Sequence, residues 1–271
     1  MAIDHVRAWV GGWGIKSPAK AVELAKRAGL DGAQIITNDL SKCRRAHEYG
    51  DKSEGGRYYK HSGILRLAEA FHAAGMDVGL MTWVMPHRIW IESAAEVLVP
   101  LCTDAGADSL EPDAEEPWTQ ADAPMGYREV KRKSKGDLVA EAYDEAAALF
   151  YSAFQGAPTI GVNAIGYTST TRCDGLMEGA AYGVPQLYVT KTSGLTVESI
   201  PRITKRWRKH FLEADQEMVA GLAAYRQVDA RHDIPAAARA CAATGCTKAF
   251  VWQLKSMRDA EVLAGVQGIR G

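Results

Sequence analysis

The sequence predicts an α/β fold, a single (β/α)8 TIM barrel that takes in residues 1–271 as one domain. Three observations predict it. The first is a recurring junction: Arg27-Ala28-Gly29-Leu30-Asp31, Ala73-Ala74-Gly75-Met76-Asp77, Asp104-Ala105-Gly106-Ala107-Asp108 and Ala243-Thr244-Gly245-Cys246-Thr247. Each joins an amphipathic run to an apolar one through a Gly suited to the left-handed C′ position. The second is that strand and helix patterns alternate eight times, as a parallel barrel requires. The third is negative. Val10-Gly11-Gly12-Trp13-Gly14 is glycine-rich but is not GxGxxG, so a doubly wound dinucleotide fold is disfavoured.

The elements follow in order. Strand one is Val6–Val10, and Ser17-Pro18 opens helix one as N-cap and N1. Strand two is Ala33–Thr37 and helix two Ser62–Ala74. Strand three is Asp77–Val84 and helix three Ile91–Ala105. Strand four is Ser109–Asp113, followed by a long helix, Gly136–Phe154. Strand five is Thr159–Tyr167, a short helix is Gly175–Ala181, and strand six is Gln186–Thr190. Helix six is Ile203–Tyr225, strand seven the weak segment Gln227–Asp229, helix seven Pro235–Ala243, strand eight Lys248–Leu254 and the last helix Ala260–Val266. Long loops are expected after strands two, four and six, at Asn38–Tyr59, Pro117–Lys135 and Lys191–Pro201. Long loops on a compact barrel tend to carry function.

Composition narrows the function classes. With 32 Lys and Arg against 33 Asp and Glu the net charge is −1, so nothing calls for nucleic acid or an anionic membrane. Five cysteines, Cys43, Cys102, Cys173, Cys241 and Cys246, form no CxxC, which argues against a disulfide framework and a zinc cluster. Met1-Ala2-Ile3-Asp4-His5 has no basic n-region, and no apolar run approaches the ~20 residues that span a bilayer. The expectation is a cytoplasmically made monomer without signal peptide or membrane insertion, and without cofactor or metal.

Chemistry concentrates in Asp108-Ser109-Leu110-Glu111-Pro112-Asp113-Ala114-Glu115-Glu116-Pro117-Trp118. Side chains alternate faces along a strand, so Glu111, Asp113 and Glu115 project to one side, roughly 7 Å apart. Like charges at that spacing are expected to raise at least one pKa, giving an acid able to protonate a glycosidic oxygen. The run sits at the carboxyl end of strand four, the end where barrels keep their active sites. Trp13, Trp83, Tyr167, Tyr188 and Trp252 are expected at the same rim, a set of aromatics on which sugar rings stack. The competing readings of the acidic trio are a divalent metal site and a structural hydrogen-bond network.

These residues carry a resemblance. Asp108, Glu111, Asp113 and Glu115 match the spacing of the D-x-x-D-x-D-x-E motif of family-eighteen chitinases, with Glu111 where that family has Asp. Gln186-Leu187-Tyr188 resembles the family's Q-x-Y, and Phe250-Val251-Trp252 its Trp-bearing last strand. Asp113-Ala114-Glu115, Tyr167-Thr168-Ser169 and Trp252-Gln253 are similar to motifs of family-twenty-five lysozymes, including phage endolysins. The chain departs from both at Leu80-Met81-Thr82-Trp83, where the chitinases have S-x-G-G, and at Arg7-Ala8-Trp9-Val10-Gly11, where the lysozymes have an Asp.

The resemblance implies a glycoside hydrolase cleaving β-1,4 bonds in N-acetyl-sugar polymers, peptidoglycan above chitin, as a phage-type lysin or muramidase released to the wall by another protein. It implies Glu115 as general acid, helped by Asp113 and Glu111. Tyr188, Gln186, Trp252, Gln253, Tyr167, Trp83 and Trp118 are the expected substrate contacts. Glu116 replaces Glu115 if the strand carries a bulge. Two other functions stay open: a glycan-binding barrel without catalysis, and a metal-dependent sugar isomerase or epimerase using the same acids with His87.

Overall fold

The computed structural model describes residues 2–39, 42, 58–119, 135–166, 172–213 and 215–271. Its strands are β1 (His5–Val10), β2 (Gly32–Ile36), β3 (Asp77–Trp83), β4 (Ser109–Ala114), β5 (Thr159–Ile165), β6 (Tyr182–Gln186), β7 (Glu217–Met218), β8 (Ala220–Ala223) and β9 (Lys248–Trp252). Every pairing between them is parallel. The short β7 and β8 both pair with β6 and together form one stave, and β9 returns to β1, closing an eight-stave barrel. The described helices are α1 (Trp13–Lys16), α2 (Pro18–Arg27), α3 (His61–Ala73), α4 (Arg88–Asp104), α5 (Lys135–Ala153), α6 (Asp174–Glu178), α7 (Ile200–His210), α8 (Ala230–Ala243) and α9 (Ala260–Gln267). Among the described residues none is long and apolar enough to cross a membrane.

The junction glycines behave as their pattern predicts. Gly29, Gly75, Gly106 and Gly245 have φ of 68°, 72°, 57° and 93°, the left-handed region that ends a helix and turns it toward the next strand. Pro18 stands at the start of α2, though the Ser17 side chain makes no capping bond. Four elements differ from expectation. Strand six runs Tyr182–Gln186, so Gln186 closes it rather than opens it. Helix six stops at His210, and the alanine-rich stretch expected to continue it forms the buried strand Ala220–Ala223. Burial on both faces of a parallel stave outweighs the helical preference of alanine. Strand seven therefore lies ahead of Gln227–Asp229, where Asp229 caps α8 by accepting from the His232 N–H. Pro235 sits inside that helix instead of opening it. Of the three expected long loops, the one after strand six is described, and most of the other two lies outside the described residues.

Two apolar layers hold the barrel. Outward residues such as Ala8, Ala33, Leu80, Leu110 and Val251 pack under the helices. Inward residues Trp9, Ile36, Met81, Tyr182, Val184, Val219 and Phe250 fill the lumen, with Trp252 against them. Below this plug, at the amino ends of the strands, Arg7 donates to both oxygens of Asp108 at 2.9 and 2.8 Å and lies 3.3 Å from Asp77. Lys248 meets Glu217 at 2.8 Å. These pairs surround a cavity of about 410 Å3.

Candidate active site

The acidic run supplies the site through simple register. Ser109, Glu111 and Asp113 alternate inward along β4 while Leu110 and Ala114 face the helices. Glu111 and Asp113 are buried, and Glu115, one residue past the strand, is half-buried. Gln186 ends β6 opposite them, and its amide donates to Asp113 Oδ1 at 3.2 Å and to Glu115 Oε1 at 3.2 Å. One neutral side chain thus ties the two acids together. Two residues on, half-buried Tyr188 has its phenol pKa pushed well up by burial and then by the charges of Asp113 and Glu115.

Glu111 lies one layer deeper. Trp9 Nε1 donates to it at 3.1 Å and the Tyr182 hydroxyl at 3.2 Å. Its pKa is raised to about 7, by burial first; the donors Trp9 and Tyr182 and the charge of Arg7 pull the other way. A raised carboxyl was expected in this run, but its cause is desolvation rather than like charge. The Tyr182 ring reaches Glu111 across Gly161, where a Cβ would run into it. Arg7 Nη1 donates to Gln34 Oε1 at 3.2 Å, and the Arg7 charge acts on Glu111 from the amino-terminal mouth.

The expected aromatic rim divides. Trp252, half-buried at the end of β9, leans on Trp9 with ring centroids 5.8 Å apart at 54°. Gln253 follows it, half-buried, across a cis peptide bond. Trp83 is wholly buried, edge-on to Trp90 at 5.8 Å. Trp118 is wholly buried too; its Nε1 donates to the Val84 carbonyl at 3.0 Å and its ring tilts over Tyr143 at 5.9 Å. Both of these indoles are anchors with no ring face open to a sugar. Tyr167 lies outside the described residues, as do Thr168 and Ser169. His87 is buried just ahead of α4. Among the described residues no three His, Cys, Asp or Glu side chains are grouped to hold a metal ion. Cys102, Cys173, Cys241 and Cys246 are free and buried.

The deeper members, Arg7, Trp9, Gln34 and Tyr182, are missing from the sequence reading. Their signal is faint: polar side chains at alternate positions of strands that are otherwise apolar.

The chain matches no protein-family profile and no curated protein by sequence. Solved structures do match it. A plant class V chitinase from Cycas revoluta, in complex with (GlcNAc)3, superposes at a TM-score of 0.67 with 5% identity, over 98% of this chain and 100% of that one. A GH113 β-1,4-mannanase matches at 0.58 with 10% identity, over 94% and 89%. A chitinase-like agglutinin from Robinia pseudoacacia matches at 0.59 with 8% identity, over 98% and 99%. The chain shares their barrel fold. At such identities function rests on the site, not on the fold.

Proposed function

We propose that the chain is a glycoside hydrolase acting on β-1,4-linked N-acetyl-sugar polymers, with peptidoglycan as the substrate and a muramidase or phage-type lysin as the biological type. The observation that carries this reading is the Gln186 amide bridging Asp113 and Glu115 at 3.2 Å each, at the carboxyl mouth of the barrel. Glu115, the more exposed of the two acids, donates the proton to the leaving glycosidic oxygen. Asp113, held by Gln186 and electrostatically coupled to Tyr188, meets the positive charge that develops at the anomeric centre or orients the substrate's acetamide against it. Trp252 forms the sugar platform, with Gln253 beside it for hydroxyl or amide groups. The lysozyme-like Asp113-Ala114-Glu115 and Trp252-Gln253 support peptidoglycan; the chitinase fold likeness supports N-acetyl sugars in general.

The test is release of new reducing ends from purified peptidoglycan and from chitin oligosaccharides, by the protein and by Glu115→Gln. Release from peptidoglycan that disappears in the variant is expected. Release from chitin alone moves the substrate to chitin. A second reading, a barrel that binds glycan without cutting it, draws on the departures at Arg7-Ala8-Trp9 and Leu80-Met81-Thr82-Trp83. Oligosaccharide affinity with no cleavage of either polymer would establish it.

A further inference from the structure

The lumen holds one polar side chain that none of the foregoing uses. Asn163 on β5 is 1% exposed, and both its amide nitrogen and its amide oxygen are buried without a hydrogen-bond partner. Its place in the barrel is fixed by register: β5 pairs with β4 so that Asn163 lies directly across from Asp113, and with β6 so that it lies across from Val184. Val184 belongs to the lumen plug and Asp113 faces the lumen, so Asn163 points inward with them, in the same layer. Neighbouring strands run about 4.8 Å apart. The amide and the Asp113 carboxyl are therefore next to one another yet do not bond directly.

A buried amide with both ends unsatisfied is costly, and a position that only filled the lumen would be better served by Val or Leu. Ordered water is the usual partner of such a group, and a water between two polar side chains one strand apart serves the amide N–H and the carboxylate together. We propose that Asn163 is a positioning residue for Asp113, acting through a buried water that accepts from the Asn163 Nδ2 and donates to the Asp113 carboxylate. Gln186 then holds Asp113 from the β6 side and the Asn163 water from the β5 side. The two donors fix the plane of the carboxylate and favour its charged form, while Glu115 is left to move the proton. This assignment rests on the proposed hydrolase reading for its catalytic consequence, but not for its effect on Asp113 itself.

The experiment uses the full chain with Asn163→Val, which keeps the bulk and removes the amide, and Asn163→Ser, whose hydroxyl can still hold a water. Asn163→Ala serves the same purpose where Val does not fold. The carboxyl carbon of Asp113, assigned with Asp113→Asn, is titrated by 13C NMR, and turnover is followed against pH. The expected result is an upward displacement of the Asp113 titration in the Val variant, recovered in the Ser variant. With it kcat falls by about tenfold to a hundredfold, KM is nearly unchanged, and the acidic limb of the pH profile moves up with the titration. An Asp113 titration and kcat identical to the wild type in the Val variant overturn the proposal, even if Glu115→Gln is dead and the hydrolase reading stands. A displaced titration in a protein that cleaves neither polymer supports the positioning role and removes the hydrolase reading.

Discussion

The two mouths of this barrel are both lined with acids and handle them in opposite ways. At the amino end Asp108, Asp77 and Glu217 are answered by cations, Arg7 and Lys248, at 2.8–3.3 Å. At the carboxyl end Asp113 and Glu115 share a neutral amide, and Glu111 beneath them takes neutral donors from Trp9 and Tyr182. An ion pair ties a carboxylate to a fixed cation and so joins the elements that carry the two. A neutral donor orients a carboxyl and favours its charged form without placing a full opposite charge against it. The charged pairs join β1 to β3 and the turn before β4, and β7 to β9, which is bracing. The neutral contacts converge on one face of β4, which is where the proposed site lies.

The largest effect that would sharpen this contrast belongs to Glu111. Its carboxyl holds a proton up to about pH 7 in the folded protein, against about 4.5 for a glutamate in water. Unfolded chains release that proton from about pH 4.5 upward, so folding stability from this group is full below that pH and is lost toward pH 7, by about 3 kcal/mol. In Glu111→Gln that slope should flatten, and the variant should gain on the wild type as pH rises from 4 to 7. Urea unfolding across this range checks it; parallel curves for the two proteins would mean that Glu111 is not the buried acid described. Next comes Arg7→Met, which strands Asp108 and Asp77. Because those acids are about half exposed, the loss is expected at about 2 kcal/mol rather than the full cost of breaking a buried pair. A melting temperature within a degree of wild type would remove the bracing role. The smallest is Trp252→Ala, expected to raise KM or the oligosaccharide Kd about tenfold, near 1.4 kcal/mol, with kcat little changed. Unchanged affinity would return Trp252 to the lumen plug.

How much of this was legible in the sequence varies with depth. The period-two run from Ser109 to Glu115 could be read directly, because alternation on one strand needs no knowledge of its neighbours. The four C′ glycines were equally local. Gln186 and Tyr188 were found through a motif, yet the strand carrying Gln186 was placed too late, since Gly183 and Pro185 hide Tyr182–Gln186 behind turn-forming residues. The stave Ala220–Ala223 was lost to alanine's helical preference. Trp83 and Trp118 end as anchors because exposure is a property of packing: a Trp at a strand end and one in a loop look alike in sequence whether they face a sugar or another indole. Trp9 and Tyr182 reach Glu111, and Asn163 lies across from Asp113, from three different staves, and only the closed register brings them there.

The most direct test of the division between the mouths sets Glu115→Gln beside Arg7→Met and measures thermal stability and turnover on the cleaved glycan for both. Glu115→Gln should keep the wild-type melting temperature and lose about 100-fold or more in kcat. Arg7→Met should lose stability and keep turnover within about tenfold at a temperature where it is folded. Wild-type turnover in Glu115→Gln, or a dead but fully folded Arg7→Met, would contradict the account.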